Sequence, residues 1–174
     1  YNMISASSKR IGLFGFGAAA HILTQVAKAQ GKEIYAFTRQ GDLAGQQFAL
    51  RMGACWAAGT DDCPPEKLDA AIIFAPAGEL IPIALKYLDK GGQVICGGIH
   101  MSEIPSFSYD LLWEERAIRS VANLTRQDGP DFFKIIKNLS VYTETQLFKL
   151  NQANEALDQL KNGQIRGAAI LVMD

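Results

Sequence analysis

Residues Ile11 to His21 read IGLFGFGAAAH, an apolar run that stops at Gly15 and gives way to an alanine-rich helical pattern. Gly15, Gly17 and Ala20 fit the spacing G-x-G-x-x-[GA]. The spacing alone is weak, since strand–helix turns use glycine anyway. Its context is what constrains the fold: a strand enters, a helix leaves, and a second strand pattern, EIYAFTR, follows within about 30 residues. In that setting Gly15 permits the sharp turn, Gly17 lets backbone N–H groups approach a pyrophosphate, and Ala20 lets the helix lie close to the strand. The N–H groups of Phe16, Gly17, Ala18 and Ala19, with the positive end of the helix, would meet the phosphate charge. The competing reading is a tight turn that holds no ligand.

The rest of the chain repeats the alternation. AAAHILTQVAKAQG places Ile22, Val26 and Ala29 at helical spacing, with Gly31 as the stop. DLAGQQFALRMG is a second helix, capped by Asp42 and closed by Gly53. A short strand at CWAA precedes GTDDCPPEK, whose paired prolines forbid regular structure. LDAAIIFAP is apolar almost throughout, as a strand buried on both faces must be. ELIPIALKYLDKGG reads as helix, QVICGGI as strand, and WEERAIRSVANLT as a short helix running into a strand. Two late helices, GPDFFKIIKNL (opened by Pro130 at an N1-like position) and NQANEALDQLKNG, lead to a last strand, GAAILVM. The fold class expected is α/β, a Rossmann-type doubly wound parallel sheet with helices on both faces, in one domain over residues 1–174.

The end of the second strand tells dinucleotides apart. NAD sites carry an Asp or Glu there for the ribose hydroxyls, whereas this strand ends with Thr38 and Arg39. A guanidinium cannot accept from a hydroxyl, but it suits a 2′-phosphate, and Thr38 offers a hydroxyl donor. NADP(H) is therefore favoured over NAD(H). The alternative makes Arg39 a solvated charge and gives the ribose to Asp42. The same Thr38-Arg39 pair speaks against an adenosyl cofactor of the methyltransferase kind. A Tyr-x-x-x-Lys pair of the short-chain dehydrogenase kind is absent at Tyr87 and Tyr109, since Gly91 and Trp113 stand four positions on.

Charge and cysteine content narrow the partners. Seventeen Lys and Arg against 18 Asp and Glu give a net charge of −1, which offers no pull toward nucleic acid or a membrane surface. No apolar run approaches the roughly 20 residues of a membrane span, and the opening YNMISASSKR is not expected to be a signal peptide. Cys55, Cys63 and Cys96 are odd in number and widely spaced, so they read as reduced thiols of a cytoplasmic protein. No histidine or cysteine cluster marks a metal site.

Taken in order, IGLFGFGAAAH, ALRMGA, LDAAIIFAPAG, LDKGGQVICGGIHMS, ANLTRQD and NQANEALDQLKNGQIRGAAILV resemble the C-terminal half of zinc-dependent alcohol dehydrogenases of the medium-chain dehydrogenase/reductase superfamily. The resemblance covers essentially the whole chain. It implies a cofactor domain whose catalytic partner, bearing the zinc ligands, lies outside this sequence. The full enzyme would interconvert alcohols and aldehydes or ketones by hydride transfer, with zinc polarising the oxygen, while this chain alone would bind cofactor and carry no catalytic residue. A stand-alone dinucleotide-sensing regulatory module is the alternative.

The resemblance further implies that Ala75 and Pro76 border the nicotinamide ribose, that Gly98, Ile99 and His100 lie along the nicotinamide, and that Asn123, Leu124 and Thr125 hold the carboxamide through backbone groups. His21 is expected to pack at the start of its helix. Residues 1–8 resemble a helical linker tail, and residues from about 126 to 174 a segment that meets the catalytic domain, with 141–174 displaced, swapped or poorly ordered in its absence. In family members an arginine follows the glycine of the closing strand; here Ala168 follows Gly167 and Arg166 precedes it, which puts a pyrophosphate contact there in question. AIRSVANL is expected at the sheet edge, pairing with a second copy through residues 117–123 in a homodimer.

Overall fold

The computed structural model describes residues 3–173. Six parallel strands form the main sheet: β1 (Arg10–Phe14), β2 (Glu33–Thr38), β3 (Trp56–Gly59), β4 (Leu68–Ile73), β5 (Leu88–Cys96) and β6 (Ala117–Ser120). Their order is β3-β2-β1-β4-β5-β6. The chain thus winds outward from β1 in one direction, then returns to lay β4 against β1 and winds the other way. Such a reversal opens a crevice at the carboxyl ends of the two central strands.

Strand periodicity sorts the core into two layers. Ile11, Leu13, Ile34, Ala36, Ile72 and Ile95 face the side covered by α1 (Ala18–Ala29) and α2 (Leu43–Met52), where Ala20, Ala27 and Ala49 let the helices approach closely. Phe14, Tyr35, Phe37, Ala71, Ile73, Val94 and Cys96 face the other side, under α3 (Leu80–Tyr87). There Phe14 stacks on Phe37 at 4.1 Å, and Phe37 in turn stacks on Tyr87 at 5.4 Å. The Tyr87 hydroxyl donates to the Thr60 carbonyl at 3.1 Å, which satisfies the one polar atom that the stack buries. Helices on both faces and wholly parallel strands match the expected fold class.

The helix boundaries follow local chemistry. Asp42 accepts from the Gly45 N–H at 2.9 Å as the cap of α2, and Gly53 closes that helix at φ +110°. The third helix is shorter than the sequence pattern suggested: Leu88 turns extended, pairs with Leu68, and starts β5. No helix forms at WEER; only a single 3-10 turn at Tyr109–Leu111 appears, and Glu114 and Glu115 take left-handed φ of 69° and 59°. The Glu114 carbonyl accepts from the Gly91 N–H and its carboxylate pairs with Lys90 and Arg116, contacts that hold this turn outside helical geometry. Of residues 1–8, Tyr1 and Asn2 lie outside the described residues. Residues 3–8 form turns rather than a helical tail, because Ser5 and Ser7 bond to each other and to local backbone.

After β6 come α4 (Asp128–Ile136), β7 (Thr145–Lys149), α5 (Ala153–Lys161) and β8 (Ala168–Val172). Strands β7 and β8 form a separate parallel pair, with Phe148, Ala156 and Ile165 as its small core. Pro130 is the third residue of α4 rather than its first. Residues 141–173 therefore fold as a unit beside the sheet. Asp174 lies outside the described residues.

Candidate functional site

Because every strand of the main sheet is parallel, the carboxyl ends of β1, β2, β4, β5 and β6 all open on one edge. Gly15, Thr38-Arg39, Ala75-Pro76, Gly98–His100 and Asn123–Thr125 follow those ends in turn. At the centre the Phe14 carbonyl accepts from the N–H groups of Phe74 and Ala75, at 2.9 and 3.2 Å, pinning β1 to β4 where the winding reverses. Gly15 sits at φ +90°, and a Cβ there would lie 3.0 Å from the Ala75 nitrogen. A side chain at residue 15 would meet both backbone strain and a wall.

In front of this turn the structure is open. A Cβ at Gly17 would meet nothing within 4 Å, and Gly17, Ala18 and Ala19 are exposed. The N–H groups of Phe16 and Gly17 have no acceptor among the described residues, and those of the first turn of α1 have none within the helix. Ala20 is buried at the contact with the sheet. The first turn of α1 carries no acidic side chain that would oppose an anion. His21 is buried, with Nδ1 3.3 Å from the Gly17 carbonyl, and Nε2 accepts from the Glu144 N–H at 3.3 Å. Accepting at Nε2 leaves the proton on Nδ1, facing Gly17. This histidine ties the loop to the C-terminal segment, a contact that sequence reasoning could not see, since its partner is 123 residues away.

At the end of β2, Thr38 is buried and its hydroxyl lies 3.4 Å from the Ala58 carbonyl and 3.3 Å from that of Arg39. Arg39 is exposed, and its guanidinium makes no hydrogen bond or ion pair among the described residues. Asp42 lies beyond it, engaged by Gly45 and by Arg166 Nη2 at 3.2 Å. The opposite wing is looser: Ile99 and Leu124 are largely exposed, and His100 lies on the surface. Thr125 gives both its N–H (2.6 Å) and its hydroxyl (2.8 Å) to the Asp128 carboxylate.

Cys55, Cys63 and Cys96 are unpaired. Among the described residues no group of three or more His, Cys, Asp or Glu could hold a metal ion, and no helix is long and apolar enough to cross a membrane.

No protein-family model matches the chain. It is 45% identical over 165 residues to the probable alcohol dehydrogenase AdhA of Mycobacterium tuberculosis, covering 94% of this chain and 47% of that protein. An acetophenone reductase from Geotrichum candidum, solved in complex with NAD, superposes with a TM-score of 0.80 at 26% identity, over 97% of this chain and 49% of the other. The CAD of Helicobacter pylori, complexed with NADP(H), shares the fold at a TM-score of 0.77 and 22% identity, over 95% and 48%. The chain spans about half the length of the curated relatives that it matches. With a doubly wound sheet, an open glycine turn at its switch point and this likeness, the chain is similar over nearly its whole length to one half, the C-terminal one, of alcohol dehydrogenases of the medium-chain kind.

Proposed function

We propose that this chain is the dinucleotide-binding domain of an alcohol dehydrogenase, and that the whole protein moves hydride between NADP(H) and an alcohol, aldehyde or ketone. The observation that carries the cofactor part is the open mouth of α1: exposed Gly17, Ala18 and Ala19 with N–H groups aimed at solvent, behind a Gly15 turn that a side chain would obstruct. Anions bind such helix mouths through N–H groups and the helix dipole. NADP(H) is preferred to NAD(H) because the residue at the end of β2 is the unpaired, exposed Arg39 rather than an acid. The relatives' ligands, NAD in one case and NADP(H) in another, support a dinucleotide without choosing between the two.

In this reading the loop N–H groups of Phe16 to Ala19 bind the diphosphate and Arg39 the 2′-phosphate. Ala75, Pro76, Gly98, Ile99 and His100 flank the nicotinamide end, and Asn123, Leu124 and Thr125 position its carboxamide. The described residues of this chain do not fit a zinc ion, so the zinc that the resemblance implies would rest on ligands outside this chain, as would the substrate pocket. Unpaired thiols suit a reducing cytoplasm. Strand β6, with a neighbour on one side only, is the proposed homodimer seam through residues 117–123.

Calorimetric titration with NADPH and NADH tests the cofactor reading. NADPH is expected to bind more tightly, and Arg39→Ala should weaken it by about 1–3 kcal/mol while leaving NADH nearly unchanged. Equal affinities, or tighter NADH, would remove the NADP assignment. Failure of both nucleotides to bind at saturating concentration would remove the cradle itself. Light scattering that finds only monomer at high concentration would remove the dimer.

A further inference from the structure

Arg166 belongs to the closing segment, yet its guanidinium lies at the far end of the cofactor edge. Nη2 donates to Asp42 Oδ1 at 3.2 Å across 124 residues of sequence, and Nη1 donates to the Gly163 carbonyl at 2.9 Å. Gly163 also neighbours the other arginine: a Cβ there would lie 3.8 Å from Arg39 Nη1. Two guanidinium groups from distant parts of the chain therefore flank one glycine just beyond β2. One of them holds the carboxylate that caps α2. The Arg166 and Asp42 side chains are 35% and 33% exposed, so the pair is open to a ligand from solvent.

Asp42 is the acid nearest the end of β2 in sequence, and a free carboxylate here would accept from ribose hydroxyls and repel a phosphate. Arg166 cancels that charge. It spends one hydrogen on each of two nitrogens and keeps further donors for an anion. Arg39 by itself is a single exposed cation; a phosphate dianion gains more from two planar forks that converge on it.

We propose that Arg166 is a selectivity residue for the 2′-phosphate of the cofactor: it neutralises Asp42 and sets a second guanidinium beside Arg39. The closing segment, and not β2 alone, then decides between NADPH and NADH. This rests on the dinucleotide reading above.

The test titrates the chain with NADPH, NADH, adenosine 2′,5′-bisphosphate and 5′-AMP. Arg166→Ala should weaken NADPH and the bisphosphate by about tenfold or more, the loss that follows from one charge-assisted contact, and leave NADH and AMP nearly unchanged. Adding Asp42→Asn to Arg166→Ala should restore part of the NADPH affinity, because asparagine still caps α2 while removing the unmasked charge. A purely structural arginine would show no such rescue. Arg166→Lys, which keeps the charge, provides the same reading should the alanine variant fail to fold, with NADPH weakened less and NADH unmoved. A wild type that prefers NADPH, loses that preference on Arg39→Ala and keeps it on Arg166→Ala overturns this proposal alone. A wild type that binds NADPH no better than NADH overturns the cofactor assignment, and this proposal with it.

Discussion

The main sheet and the β7–β8 pair are both parallel, and helices follow β1, β2, β4 and β7, yet they bury their apolar side chains very differently. In the main sheet Phe14, Phe37, Ile11, Leu13, Leu68, Ile73 and Ile95 are essentially sealed from solvent. In the small pair the buried set is Phe148, Ala156 and Ile165, while Leu147 is 64% exposed and Leu157 62%. A parallel sheet has apolar side chains on both faces and needs a layer on each. The six-stranded sheet has α1 and α2 on one side and α3 on the other; the pair has α5 and a few hydrogen bonds to the body. Those bonds run from Gln25 to Tyr142, from Glu144 to His21 and from Arg166 to Asp42. The difference teaches that a parallel strand–helix–strand unit can form its ladder without a covering layer on each face. Leu147 and Leu157, exposed in this pair, with Leu124 and Phe133 exposed ahead of it, support the reading that this part of the chain meets the rest of a longer protein.

The largest expected effect sets the two regions against each other. Phe37→Ala should cost about 3–5 kcal/mol in global denaturant unfolding, the range for emptying a sealed aromatic site. Phe148→Ala should leave that midpoint nearly in place and instead speed amide exchange across residues 145–172. Equal losses in both variants would show that the two sheets unfold as one body.

A smaller effect lies at the opposite edge of the main sheet. Asp69 Oδ2 accepts from the N–H groups of Lys9 and Arg10 at 2.6 and 2.8 Å, and Oδ1 pairs with the Arg10 guanidinium. Burial pushes its carboxyl up, but the two N–H groups and Arg10 outweigh that and hold it below its ordinary value. A lowered folded pKa means that this stabilisation is complete above the unfolded carboxyl's value of about 4 and is lost as pH falls through the folded one. Asp69→Asn should cost about 2 kcal/mol at neutral pH, and the cost should shrink in acid. A pH-independent difference between variant and wild type would break this account.

The smallest effect concerns the tie itself. His21→Ala removes the acceptor of the Glu144 N–H and should cost about 1 kcal/mol, read as faster exchange in the C-terminal segment with the sheet untouched. If exchange in β1 and β4 rises equally, the histidine supports the cradle rather than the tie.

Much of this is legible in the sequence alone, and the exceptions have physical causes. The apolar run LDAAIIFAP, the cap at Asp42 and the stop at Gly53 are local signals, and each stands where it was expected. Strand β7 has no clear strand pattern: TQLFK carries Thr145, Gln146 and Lys149, and its partner β8 begins at Ala168. The helical pattern of the third helix runs past its end because Leu88 looks helical until Leu68 lies opposite it. WEER looks helical too, until Gly91, Lys90 and Arg116 hold Glu114 in a left-handed turn.

The sequence by itself determined the alternation of strands and helices, the glycine turn before α1, and the cationic end of β2, since each depends on residues within one or two turns of chain. Only the tertiary structure decided the strand order with its reversal between β1 and β4, the contact of His21 with Glu144, and the placing of Arg166 against Asp42 beside Arg39. Those join residues up to 124 positions apart, and no local pattern encodes a contact whose energy exists only after the sheet has folded.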